Sequence, residues 1–339
     1  MKIKKIPYIL SLALFISFTF QGFSQIKKDR KAVKYAKTIK AEELKEKLYV
    51  YASDEFEGRG TPSKGQELAI NFLKDHYVSN NISPLQENNY FQVVPPPKRF
   101  ERWWGKSDIK PKNVVAYIKG NKHPDEYIIV SAHLDHVGME DGEIFNGADD
   151  DGSGTVALLE IAEAFQEAAN NGHGPNRSIV FLHVTAEEMG LIGSKYYTDN
   201  PIVPLKNTVT NLNVDMIGRT DPQRPKRNRE YIYIIGSDKI SQELHDINEE
   251  VNSIYLDIDL DYIFNADDDP NRFYYRSDHY NFAQKGVPII FYFSGTHEDY
   301  HQPTDTVEKI QYDLLQLRTR LIFYTAWELA NRDDRIKID

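Results

Sequence analysis

The 339-residue chain contains no cysteine. No disulfide can staple the fold, and no thiolate can act as nucleophile or metal ligand. Long apolar runs are also missing. The longest spans Ile6 to Phe20, fifteen residues, short of the roughly 20 that a membrane-spanning helix needs. Lys2, Lys4 and Lys5 precede this run, and the small residues Gly22 and Ser24 follow it. The pattern reads as a signal peptide over residues 1–24, with export to the periplasm or beyond and no stable membrane association after cleavage.

Basic charge is outnumbered by acidic charge past the first fifty residues. The whole chain carries −10, yet residues 1–24 contribute +3 and residues 25–47 contribute +5, leaving −18 on residues 48–339. Such a body has no basic excess to neutralise phosphates, so a nucleic-acid partner is excluded. The stretch 25–47 is read as a basic arm or first helix, and 48–339 as a single domain. No oligomeric state is read from the sequence.

What is present is a regular alternation. "AEELKEKLYVYASDEF" and "SKGQELAINFLKDHYVSNN" have helical spacing, joined by the Gly/Pro/Ser loop "EGRGTPSKG". "PPPKRFERWWGKSD" reads as an exposed loop. "NVVAYIKG", "EYIIVSAHLDH", "RSIVFLHVTAEE", "NTVTNLNVDMIG", "YIYIIGS" and "VPIIFYFSG" read as strands. Helices are expected at "GTVALLEIAEAFQEAAN", near "GLIGSKYYTDN", at "SQELHDINEEVNSI" and in the closing "EKIQYDLLQLRTRLIFYTAWELANR". Buried strands alternating with helices imply an α/β sandwich around a parallel or mixed sheet. The acidic "LDIDLDYIFNADDDPNRFYY" is read as an edge strand with Ile258, Leu260 and Tyr262 inward, bordering the substrate pocket. A calcium loop is disfavoured there because the required glycine is absent.

In α/β folds function sits beyond the carboxyl ends of the strands, and polar clusters fall there repeatedly. His133 and Asp135 end one strand, Glu187 and Glu188 another, and Asp215 a third. "GADDDGSG" precedes a helix and "HEDYHQPTDT" follows the last strand. Each has a plain alternative: a hydrogen-bonded core histidine, helix-capping aspartates, solvated glutamates, a turn-forming Asp215. Together these alternatives would need many separate partners for groups flanked by apolar strands. A metal explains them jointly, since histidine with several carboxylates suits zinc and adjacent ions need a bridging carboxylate. Neighbours in extended chain point opposite ways, so one of Glu187 and Glu188 can ligate while the other addresses water. Asp135 points with His133 and can support its imidazole. Spacing leaves Asp149, Asp150 and Asp151 as rivals for the bridge, and His297 and His301 as rivals for a ligand. His136 points elsewhere and receives no role.

In this order, "SAHLDHVG", "NGADDDGSGT", "AEEMGLIGSKYY", "NVDMIG", "RSDHYNFAQKGVP" and "DYHQPTDT" resemble the co-catalytic zinc exopeptidases. This is the family of bacterial leucyl aminopeptidase and aminopeptidase Y, with glutamate carboxypeptidase II and glutaminyl cyclase as distant members. The likeness runs from about Tyr49 to the C-terminus, and no protease-associated insert interrupts "GNKHPDEYIIV". It implies a three-layer sandwich with a central mixed, mostly parallel sheet, two zinc ions and peptide substrates. It further implies that His133 and Asp215 bind one zinc, Glu188 and His301 the other, and that Asp150 bridges them. Glu187 is then general base and acid, acting on a metal-bound water, and Tyr274 the tyrosine that hydrogen-bonds the intermediate. The expected activity is aminopeptidase. The alternatives are a carboxypeptidase-type exopeptidase, a cyclase, or a binding protein that keeps the fold without catalysis.

Overall fold

Runs rich in β-branched and aromatic residues form a nine-stranded sheet in the computed structural model, which describes residues 26–225 and 228–339. The expected signal peptide lies outside the described residues. The strands are β1 (Ser83–Pro84), β2 (Phe91–Val93), β3 (Lys112–Ile118), β4 (His123–His133), β7 (Arg177–Val184), β8 (Thr208–Val214), β9 (Tyr231–Ile235), β10 (Asp259–Asp261) and β11 (Ile289–Phe293). A separate hairpin joins β5 (Gly138–Glu140) to β6 (Glu143–Phe145). The order is β1-β3-β7-β4-β8-β11-β9-β10, with β2 also on β3. The central β7, β4, β8 and β11 run parallel. Antiparallel pairs flank them, β3 on β7 and β9 on β11. The sheet is mixed with a parallel centre, as expected.

Helices cover both faces. They are α1 (Arg30–Ala36), α2 (Ala41–Tyr51), α3 (Lys64–Ser79), α4 (Glu101–Trp104), α5 (Gly154–Asn170), α6 (Ile192–Asp199), α7 (Gln242–Tyr255), α8 (His279–Ala283) and α9 (Tyr312–Asn331). Strand alternation sends Ile128 and Val130 into the larger core, with Leu48, Leu159, Val251 and Phe323, and Ile129 into the smaller, with Tyr197 and Phe282. Each such side chain fully buried contributes roughly 1.5–3 kcal/mol. Helix α5 matches the expected segment end to end and is apolar almost all round, as a helix sandwiched between sheet and outer helices must be.

Three segments differ from, or sharpen, the sequence reading. The proline-rich stretch 95–108 is not wholly an exposed loop. It contains α4, whose Trp104 is buried with Val94, Ala186 and Ile192, because that indole supplies a small core beneath the chain leaving β7. In the basic stretch, α1 is capped by Asp29, which accepts from Lys31 N, and Ala32, Tyr35 and Ile39 are fully buried. The boundary placed at 47/48 falls inside α2. In the acidic segment β10 is an edge strand, with Ile258 buried and Leu260 and Tyr262 packed on the main core. Its charge is met within the fold: Arg224 contacts Asp259 at 2.6 Å and Asp261 at 3.1 Å, and Lys239 meets Asp267 at 2.6 Å. No described helix is long and apolar enough to cross a membrane.

Candidate metal centre

Because β7, β4, β8 and β11 are parallel neighbours, their carboxyl ends share one edge, and the polar groups that follow them meet there. β4 delivers His133, the turn after β7 delivers Glu187 and Glu188, β8 leads into Asp215, and the chain beyond β11 returns with His301. Three backbones near these residues adopt the left-handed region: Ala186 (φ 56), Met216 (φ 53) and His301 (φ 54). Such conformations cost free energy for residues other than glycine and cluster at functional sites.

Asp150 is the hub. Its Oδ1 lies 3.1 Å from His133 Nε2, and its Oδ2 lies 3.1 Å from His301 Nε2. Asp215 Oδ1 is 3.6 Å from His133 Nε2, and Glu188 Oε2 is 3.1 Å from His301 Nε2. Both rivalries left open by spacing are separated by this geometry. Asp149 accepts from Gly218 N at 2.6 Å and pairs with His297 Nε2 at 3.1 Å, which carries both away from the hub. Asp151 accepts three backbone N–H groups, from His133 at 3.1 Å, Gly154 at 2.9 Å and Met216 at 3.1 Å. It ties β4, α5 and the end of β8 together.

The tautomer of His133 is constrained. Its Nδ1 faces the backbone carbonyl of Asp135 at 3.0 Å, which can only accept. In a neutral ring Nε2 is then a lone pair facing two carboxylates, an arrangement that needs a cation between them. Burial opposes positive charge on His133, but Asp215, Glu187 and Asp150 outweigh it and raise its pKa well above the ordinary imidazole. His301 behaves likewise: burial lowers it, Asp150 and Glu188 override, and its pKa rises to about 10. Burial and Asp150 push Glu188 up, yet the His136 and His301 rings bring it below the usual value. The cluster demands positive charge. With nitrogen and oxygen donors and no sulfur, it fits zinc.

The Asp135 expectation needs correcting in its atoms. The carbonyl orients His133, whereas the carboxylate accepts from Glu187 N at 3.1 Å and from Thr61 Oγ1 at 3.3 Å. Glu187 and Glu188 do diverge, but through a turn after β7 rather than by strand alternation. Glu187 lines a pocket with His133 and Asp215. Its pKa is raised well above normal, chiefly by burial, with His133 opposing and Glu188, Asp278 and Asp215 adding to the rise.

Tyr274 does not join this group. Its ring packs against Tyr275, His279 and Tyr280, lies under Lys239 Nζ, and lines a separate hollow with Asp267 and Arg272. A short 3-10 turn, Phe273–Tyr275, directs Phe273 and then Arg276 to the metal-side pocket instead. Sequence reasoning missed three residues there. Tyr300 stacks on His301 with centroids 4.0 Å apart and has its hydroxyl 3.4 Å from Arg276 Nη2. Arg276 covers Phe273 at 4.9 Å. His136, expected to point elsewhere, is buried with Nδ1 2.8 Å from Glu188 Oε1. The strand ends at His133, so alternation no longer governs it. Tyr300 and Arg276 adjoin His301 and Ser277 in segments already singled out, and that adjacency was the available signal.

Residues before the strands also hold the site. Buried Arg59 donates to the carbonyls of Asn146 at 2.6 Å, Gly147 at 2.8 Å and Tyr51 at 3.2 Å, bracing the loop that carries Asp150. Gln66 donates to Thr61 and, at 2.6 Å, to Thr185.

The profile of the peptidase family M28 matches residues 113–326. Leucine aminopeptidase 1 of Penicillium rubens is 29% identical over 240 residues, covering 69% of this chain and 58% of that protein. Aminopeptidase YwaD of Bacillus subtilis is 27% identical over 235 residues, covering 67% and 45%. The chain thus spans about half the length of these curated relatives. The LapA aminopeptidase of Legionella pneumophila superposes with a TM-score of 0.71 at 20% identity, covering 98% of this chain and 81% of that one.

Proposed function

The chain belongs to peptidase family M28, and from that premise we propose that it is an exported di-zinc aminopeptidase that removes N-terminal residues from peptides. The observation that carries the reading is the His133 imidazole, with Nδ1 on the Asp135 carbonyl and Nε2 facing Asp150 and Asp215. Relatives bearing aminopeptidase names support the direction of attack. Export rests on the basic and apolar pattern of Lys2 to Phe20.

His133 and Asp215 would hold one ion, Glu188 and His301 the other, with Asp150 shared. Zinc bound there would polarise the scissile carbonyl and lower the pKa of water toward about 7. Glu187 takes the proton from the attacking water and returns it to the leaving amine. Asp135 holds the Glu187 backbone N–H and so fixes where that carboxylate begins. Tyr300 and Arg276, rather than Tyr274, are the donors beside the pocket. The free α-amine of the substrate is recognised by Glu188 and Asp215.

Acetylating a peptide's N-terminus removes that positive charge. A charge-assisted contact is worth roughly 1.5–3 kcal/mol, so kcat/KM should fall at least about tenfold, while amidating the C-terminus should matter little. Equal cleavage of free and acetylated peptides would sink the aminopeptidase reading. The opposite sensitivity would indicate a carboxypeptidase, and release of no amino acid from N-terminal glutamine peptides a cyclase. Wild-type protein that binds no zinc would overturn the metal reading itself.

A further inference from the structure

His136 is 1% exposed, and neither of its ring nitrogens has a hydrogen-bond partner among the described residues. Its Nδ1 nevertheless lies 2.8 Å from Glu188 Oε1 and 3.7 Å from Asp150 Oδ2. Glu188 Oε1 is likewise buried and without a hydrogen-bond partner among the described residues. Two complementary polar atoms this close would form a hydrogen bond if the N–H pointed along the line between them. No such bond is formed, which leaves both atoms open to a cation.

The other histidines show what that arrangement means. His297 forms an aligned hydrogen bond to Asp149 and stands apart from the hub. His133 and His301 approach their carboxylates at 3.1 Å as charge contacts, and these are the two expected zinc ligands. His136 follows the second pattern. It joins Asp150 and Glu188 in one set of donors that converge within ion-binding distance, and its ring meets that of His301 edge-on at 5.7 Å. Room for it is built in: a Cβ on Gly147 would sit 2.4 Å from the His136 ring.

We propose that His136 is itself a metal ligand, so that the ion shared by Asp150, Glu188 and His301 is held by two imidazoles. The proposal rests on the metallopeptidase reading above. It assigns this position two imidazoles and two carboxylates, and the His133–Asp215 position one imidazole and two carboxylates. The two ions should therefore differ in affinity, with the His136 side the tighter toward zinc and cobalt.

The absence of native cysteine permits a direct test. Nδ1 is the near ring nitrogen, and a thiolate binds zinc at about 2.3 Å against 2.0–2.1 Å for nitrogen, so His136→Cys places sulfur close to the same ion. Cobalt-substituted His136→Cys should show a thiolate-to-cobalt charge-transfer band that wild type lacks. His136→Phe should lose one ion, its affinity falling by roughly 100-fold or more, beyond the 10–100-fold that an outer partner costs. If His136→Cys binds two cobalt ions with wild-type affinity and no such band, His136 is not a ligand and the proposal falls. Should the variants not fold, X-ray absorption on the zinc-loaded wild type decides. Three imidazoles shared by two ions support the proposal, and two overturn it. Wild type holding no metal would instead overturn the metallopeptidase reading.

Discussion

Asp150 and Asp151 are adjacent, chemically identical and both buried, yet the structure gives them opposite work. Asparagine at 151 keeps the shape but exchanges one oxygen for an NH2 group. In its better orientation it retains an oxygen toward Gly154 N and Met216 N, and turns the NH2 against His133 N. One charge-assisted bond worth roughly 1.5–3 kcal/mol is lost, two become neutral, and two donors are left facing one another. Relief of repulsion from Asp150 and Asp215 returns part of this. Burial, with those two aspartates, raises the pKa of Asp151, but all three backbone groups it accepts from are donors. A proton there would find no acceptor among them, and the N–H groups hold the ionised form.

The net loss for Asp151→Asn is about 2–4 kcal/mol, a large share of the roughly 5–15 kcal/mol by which domains are stable. Denaturation in urea with a chelator present should show this as a lower midpoint at unchanged slope. Zinc should then restore stability by nearly the wild-type increment, because anything that binds only the native state adds to it. Asp150→Asn should do the reverse and lose the zinc increment, since its carboxylate accepts no backbone N–H among the described residues and faces the hub. If Asp151→Asn unfolds at the wild-type midpoint in chelator yet gains nothing from zinc, Asp151 is the bridge and the division argued here is wrong.

Glu187→Gln should keep both ions while turnover falls by about 10²–10⁴, whereas Glu188→Gln should lose metal; zinc analysis beside rate measurement checks the pair, and the reverse pattern would exchange their roles. Tyr300→Phe should lower kcat and Tyr274→Phe should leave it near wild type, because only Tyr300 borders the metal-side pocket; a loss confined to Tyr274→Phe would restore the original expectation. Glu160, buried against Lys47, has its pKa raised to about 7 by burial, with Lys47 opposing. A carboxyl raised above its unfolded value of 4.5 favours the folded state below that value and loses this as pH rises toward the folded pKa. Urea midpoints should therefore fall between about pH 5 and 7, and Glu160→Gln should flatten the fall; an unchanged slope would remove Glu160 as its source.

Local pattern and distant contact were not equally readable in the sequence. Helix α5 and the runs that became β4, β7, β8 and β11 follow from periodicity alone, because burial on one or both faces leaves a direct mark on each residue. Parallel strands with polar termini then place His133, Asp215 and the glutamates on one edge without further information. The choice of Asp150 over its neighbours depends on where three backbone N–H groups happen to point. No spacing rule contains that. Trp104 looked like loop because its partners, Ala186 and Ile192, lie more than eighty residues away.

Asp29 shows the same limit at the largest separation, since its carboxylate accepts from Trp327 Nε1 while its own backbone N–H donates to Tyr255 Oη. The two metal-side differences both fall on irregular backbone. The reading of His136 counts from His133, and that of Tyr274 rests on the family resemblance; neither carries side-chain direction once regular structure ends. β4 stops at His133 and a 3-10 turn intervenes at Phe273–Tyr275, so each next residue points where packing sends it. The contribution of Arg59 was hidden for a different reason. A buried guanidinium that donates to three main-chain carbonyls leaves no complementary side chain to notice, since its partners Asn146, Gly147 and Tyr51 are read only through their backbones. Carbonyl oxygens are common to every residue, so the loop that presents Asp150 is held by contacts to which side-chain patterns are blind. That grip comes from before residue 113, where the family match begins, and it makes the early helices part of the centre rather than a preface to it.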